Sequence, residues 1–173
     1  FWKKEINPAC KGEVIPVCSG SETFDETDVF RDYRGKVDIM FTSPPYFNRE
    51  RYNEDDETQS FKKFDAYEDW RDGFLYKTFE NMYELCADDG VVYWNIADLK
   101  ISKGKFLPLE EDSVKAAEAA GFVLEETCPM MLRYLVGRDS DMKFIDGGKN
   151  VIQFKGQPRK TEPIFKFVKG KKI

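Results

Sequence analysis

The sequence predicts an α/β fold: a mostly parallel sheet with an antiparallel final strand. Three observations carry this expectation. Short apolar runs alternate with stretches of helical spacing, the pattern of strands joined by crossover helices. The run Val37 to Phe41 alternates apolar and β-branched residues with Asp38 and Met40 and then stops at Pro44-Pro45, since proline has no N–H to give a ladder. The last two apolar runs are joined without a helical pattern, which suits an antiparallel return.

Taken in order, Glu13 to Cys18 reads as a short strand, turned at Ser19-Gly20-Ser21-Glu22. Asp25 to Arg34 is polar and helical, leading into the Val37 strand. Both prolines after Ser43 fix φ, giving a stiff loop at the C-terminal edge of a strand, where open α/β sheets bind ligands. Phe47 to Phe64 is a long polar loop. Asp65 with Glu68 has the spacing of a capping box, and a helix is expected to about Ala87. Trp70, Phe74, Leu75, Phe79, Met82, Leu85 and Cys86 share one wide apolar face, which is core. Asp88-Asp89-Gly90 ends that helix and Val91 to Ile96 is a buried strand. A second helix runs from Leu109 to Ala120 with Gly121 as its C-cap. Phe122 to Leu132 is strand-like, Gly137 to Lys149 a mobile loop, and Ile164 to Val168 a final strand.

At 173 residues, residues 1–173 fit one domain with a real core. Hydrophobic content of 41% and charged content of 34% are those of a globular chain. No apolar run approaches the ~20 residues of a membrane span and no signal peptide is visible, so a cytoplasmic protein is expected. The chain starts at Phe1 rather than Met, as a segment of something longer would. Cys10, Cys18, Cys86 and Cys128 show no CxxC spacing and there is no His, which argues for reduced, mostly buried thiols and against zinc or His-assisted nucleophiles. The net charge of −5 requires any nucleic-acid surface to be local.

Thr42-Ser43-Pro44-Pro45-Tyr46 resembles the (Asp/Asn/Ser)-Pro-Pro-(Tyr/Phe) signature of S-adenosylmethionine-dependent amino-methyltransferases. The wider stretch FTSPPYFNRERYN, with Gln59-Ser60 and Tyr67-Glu68-Asp69-Trp70, is similar to bacterial and phage DNA methyltransferases of the SPPY type. Glu162-Pro163-Ile164-Phe165 resembles their final strand. The resemblance covers about Val14 to Lys169 and is strongest from Val37 to Trp70. An ordinary strand-ending Pro-Pro turn is the alternative.

This resemblance implies a Rossmann-like methyltransferase fold and methyl transfer to the exocyclic amine of a base flipped out of double-stranded DNA. Cytosine N4 is favoured by Ser at position 43, with adenine N6 open. The Ser43 hydroxyl and Pro44 carbonyl would accept the amine's two N–H bonds, and Tyr46 beside Pro45 would stack on the base. Ser21 and Glu22 match cofactor-contacting positions, or form a plain surface turn. Phe47, Arg49, Arg51, Lys62 and Lys63 would suit phosphate contact and stacking, though the acidic residues around them equally suit a solvated lid. The glycine-rich turn that holds the cofactor's methionine part is not evident, Gly147-Gly148 having no strand before it. The fold is therefore expected to be incomplete at one end. The alternatives are a degenerate nucleic-acid or protein binding module and an RNA methyltransferase.

Overall fold

A computed structural model of the chain describes residues 12–51, 55–135 and 150–170. The expected loop 137–149 and Gly147-Gly148 lie outside these, as does Cys10. Four strands of the main sheet run one way: β1 (Val37–Thr42), β2 (Cys86–Asn95), β5 (Phe122–Leu135) and β6 (Val151–Phe154). The final strand, β7 (Gln157–Lys169), opposes those it pairs with. The order is β1-β2-β7-β5, with β6 on β7. β7 lies between β2 and β5, so β1–β2 is the one parallel ladder among the described residues, and the antiparallel return of the final strand is as expected.

Helices cover one face. A short helix α1 (Asp28–Tyr33) precedes β1, its Thr27 side chain accepting from the Phe30 N–H at 3.1 Å. After β1 come α2 (Ser60–Lys63), then α3 (Tyr67–Trp70), a π-helical stretch Arg71–Tyr76 and α4 (Lys77–Leu85) in continuous succession. α5 (Leu109–Ala120) ends at Gly121 with φ 109°, the left-handed C-cap its sequence predicts. Trp70, Leu75, Phe79, Trp94 and Phe167 are fully buried between these helices and the sheet. The buried Trp94 Nε1 donates to Ser113 Oγ at 3.1 Å, tying β2 to α5.

The other face is bare among the described residues. Ile39 and Phe41 on β1 are 66% and 67% exposed, and Val123 on β5 is half-exposed. β1 is also an edge strand, with β2 its only ladder partner among the described residues.

Several local expectations are corrected. Glu13 to Cys18 forms no strand, because nothing among the described residues pairs with it, and Ile15 and Val17 stay exposed. The capping box does not form: the helix starts at Tyr67, so Ala66 holds the N-cap position and Asp65 sits one residue too early. The helix ends at Leu85 rather than Ala87, because Cys86 turns extended and pairs with Val37. Of the three described cysteines only Cys86 is buried; Cys18 is exposed and Cys128 intermediate. Two hairpins are additional. β3 (Leu99–Ser102) pairs with β4 (Lys105–Leu107), and β6–β7 turns at Lys155-Gly156, both at positive φ as a tight two-residue hairpin requires.

Candidate active site

β1 carries Thr42 and Ser43 to the C-terminal edge of the sheet, where the two prolines end its pairing. Ser43 is exposed, Pro44 buried, and Pro45 and Tyr46 half-buried. Tyr46 is held at both ends by carboxylates. Its backbone N–H donates to Glu50 Oε2 at 2.7 Å, and its hydroxyl donates to Glu162 Oε2 at 3.4 Å. Burial, and next the Glu162 charge, push the phenol pKa well above its usual 10.0. The Ala97 backbone amide and Ser43 hydroxyl act on the same group in the opposite sense.

Phe47 adopts φ 57°, a region an aromatic residue rarely enters. Such backbone costs about 1–3 kcal/mol. Burial of its ring offsets that cost: Phe47 is 7% exposed and meets Tyr67 and Trp70 edge-on at 5.8 and 6.2 Å. Phe47, expected among nucleic-acid contacts, is thus a core residue that fixes the turn after Tyr46.

The basic residues of the loop largely contact the chain's own side chains. The Arg51 guanidinium lies over the Phe61 ring at 5.6 Å, Lys62 pairs with Glu57 at 2.6 Å, and Lys63 with Glu22 at 2.7 Å. Arg49 is exposed, its backbone N–H donating to the Tyr46 carbonyl at 3.1 Å. The sequence showed their alternation with aromatics but not these pairings.

Ser21 and Glu22 begin a 3-10 helix, Ser21–Glu26, docked on α4. Ser21 Oγ lies 3.0 Å from Thr78 Oγ1, and its carbonyl accepts from Asn81 Nδ2 at 2.9 Å. Gly20 leaves room for the Glu22 carboxylate, from which a Cβ there would sit 2.5 Å.

Ser21, Glu22, Lys63 and the Ser43 to Pro45 loop meet around two adjoining cavities, whereas Tyr46, Phe47, Arg49, Arg51 and Lys62 line neither. One, of about 590 Å³, is lined by Ser21, Glu22, Pro45, Glu50, Asp56 and Lys63 among others. The second, of about 300 Å³, is lined by Ser43, Pro44, Pro45, Met82, Trp94 and their neighbours. Ser19, Ser21 and Pro45 belong to both. The structure therefore brings Ser21 and Glu22 to the Pro-Pro loop. Three carboxylates against one ammonium make the larger cavity negative, an environment for a cationic ligand rather than a phosphate. Sequence reasoning missed Glu50, Asp56 and Glu162. Glu50 and Asp56 lay hidden in an acidic loop. Glu162 lies 116 residues from its partner, and its only signal was its place before Pro163 in the last strand.

The family model described as DNA methylase (N6_N4_Mtase) matches residues 37–173. No curated protein matches the chain. Among solved structures the fold is similar to TTHA0409 of Thermus thermophilus, assigned as a DNA modification methylase and complexed with S-adenosyl-L-methionine. That match has a TM-score of 0.51 at 16% identity, covering 89% of this chain and 52% of that one. It is also similar to M1.HpyAVI, with a TM-score of 0.52 at 15% identity, covering 91% of this chain and 57% of that one. The chain spans about half the length of these proteins, and at such identities the likeness is one of fold.

Proposed function

The chain belongs to the DNA methylase family, and from that premise we propose that it serves transfer of a methyl group from S-adenosylmethionine to the exocyclic amine of a base flipped from double-stranded DNA, cytosine N4 being favoured. One observation carries the reading. The loop bearing Ser43 and Pro44 lines one cavity, and through Pro45 it also walls the negative cavity that holds Ser21 and Glu22.

The residues present fit the cofactor. Its sulfonium and ammonium charges suit Glu50 and Asp56, and its hydroxyl and amine donors suit the Ser21 and Glu22 oxygens. When bound, it supplies an electrophilic methyl group. An exocyclic amine is a poor nucleophile because its lone pair is delocalised into the ring. Two acceptors, the Ser43 hydroxyl and the Pro44 carbonyl, would take its two N–H bonds and draw the nitrogen toward tetrahedral geometry, freeing the lone pair. Most of the catalysis is then positioning. The Tyr46 ring gives the extruded base a surface to stack on, worth roughly 1–3 kcal/mol. The proton leaves to solvent after methylation, so no buried base is needed.

The test is label transfer from methyl-tritiated S-adenosylmethionine to double-stranded DNA, followed by digestion and nucleoside analysis. The reading predicts N4-methylcytosine. N6-methyladenine would keep the chemistry and overturn the inference from Ser43. Binding of DNA or cofactor with no label transferred would instead favour a binding module.

A further inference from the structure

Glu162 sits where three features of the sheet converge. β7 pairs with β2 only from Ile164 onward. Pro163 faces Pro129 across the β5–β7 ladder, so neither offers an N–H at that step. Asn95, at the end of β2, donates its Nδ2 to the Pro163 carbonyl at 3.0 Å in a buried setting. Together these fix the backbone of β7 just beyond the end of β2, and the next residue back is Glu162. Its Oε2 reaches the Tyr46 hydroxyl, which comes from the loop after β1.

We propose that Glu162 is a positioning residue for Tyr46: its carboxylate takes the phenol hydrogen bond and fixes the orientation in which the ring meets a base. The proposal rests on the reading of Tyr46 as the stacking surface. A half-buried tyrosine on a loop is free in two side-chain torsions, and stacking is gained only in one ring orientation. Glu50 already holds the Tyr46 N–H at 2.7 Å. At the hydroxyl, the far tip of the side chain, the Ala97 amide and Ser43 hydroxyl act on the oxygen, and Glu162 adds the acceptor that takes the phenol hydrogen, which narrows the remaining freedom before the base arrives. An ionised acceptor is about twice as strong as a neutral one. The present 3.4 Å separation is long, as such contacts commonly are before a ligand loads the site. Glu162 touches neither the reacting amine nor the methyl donor in this role.

The test is a double-mutant cycle on the full chain, with affinity measured for a fluorescent duplex carrying a mismatched cytosine, at one salt concentration. Glu162→Ala should weaken binding about ten-fold, and Glu162→Gln should recover most of the loss because its amide oxygen still accepts. In a Tyr46→Phe background Glu162→Ala should change little, since the contact is already gone. Affinity for S-adenosylmethionine should stay unchanged throughout, which separates this effect from general unfolding. Equal losses in both backgrounds, or none in either, would overturn the role. Should the wild-type chain bind no such duplex, the stacking reading fails, and ultraviolet titration of the phenol then decides the contact. Glu162→Gln must shift Tyr46 ionisation to lower pH, and an unchanged titration would overturn the assignment.

Discussion

The Nζ of Lys63 lies 2.7 Å from Oε1 of Glu22, joining the far end of the loop after the prolines to the 3-10 helix that precedes α1. The two residues are 41 positions apart. Both line the larger cavity, so the pair ties the loop to that stretch of its wall. Glu22 is only 8% exposed at its side chain and Lys63 31%, which makes this pair worth more than a surface one and costly to break from one side. Lys63→Ala is expected to lower stability by about 1–2 kcal/mol. Adding Glu22→Gln should restore part of the loss, because the stranded charge disappears. Denaturant titrations of Lys63→Ala, Glu22→Gln and the double variant check this, and strictly additive losses would show that the two side chains do not interact.

Ser43 is exposed at the end of β1 and buries little on its own. Ser43→Ala should therefore leave the unfolding free energy within about 0.5 kcal/mol of wild type. In a transfer assay it should lower kcat about ten-fold or more with cofactor affinity nearly unchanged, because its hydrogen bond strengthens as the amine becomes tetrahedral. A loss of cofactor affinity with normal kcat would place Ser43 on the wrong ligand.

Tyr67 donates its hydroxyl to Asp112 Oδ2 at 2.7 Å. Burial, and then that carboxylate, push its phenol pKa far above 10.0. A folded value above the unfolded one means that the contribution to stability is whole below pH 10 and is lost as pH rises beyond it. Stability should accordingly fall as pH rises above about 10, and Tyr67→Phe should flatten that fall while costing stability at neutral pH by removing the phenol that Asp112 accepts from. Urea midpoints across this range check it; an unaltered slope in Tyr67→Phe would show that the group does not resist ionisation.

The two faces of the sheet should respond differently to truncation. Phe79, fully buried and packed 4.5 Å from Trp94 between ring centroids, should cost about 3–5 kcal/mol as Phe79→Ala. Phe41, two-thirds exposed on the bare face, should cost under about 0.5 kcal/mol as Phe41→Thr, a β-branched residue that suits a strand. Equilibrium unfolding separates them, and comparable losses would mean that the outer face of β1 is packed in solution.

The sequence by itself determined the elements whose causes are local. An alternating β-branched run followed by two prolines makes β1 and stops it, because ladder donors and φ are properties of those residues alone. Gly121 ends α5 where its sequence predicts, because only glycine enters the left-handed region at no steric cost. The fused apolar stripe from Trp70 to Leu85 faces the sheet as its spacing requires. The tertiary structure alone decided what these elements meet. It inserted β7 between β2 and β5, gave Cys86 to a strand by pairing it with Val37, and left Glu13 to Cys18 outside the sheet. It buried Phe47, engaged Lys62 and Lys63 with carboxylates, and set Glu162 against Tyr46. Charge and hydrogen-bond pairing depend on distance in space, and nothing in the spacing of Glu22 and Lys63, or of Tyr46 and Glu162, encodes it until the sheet is assembled.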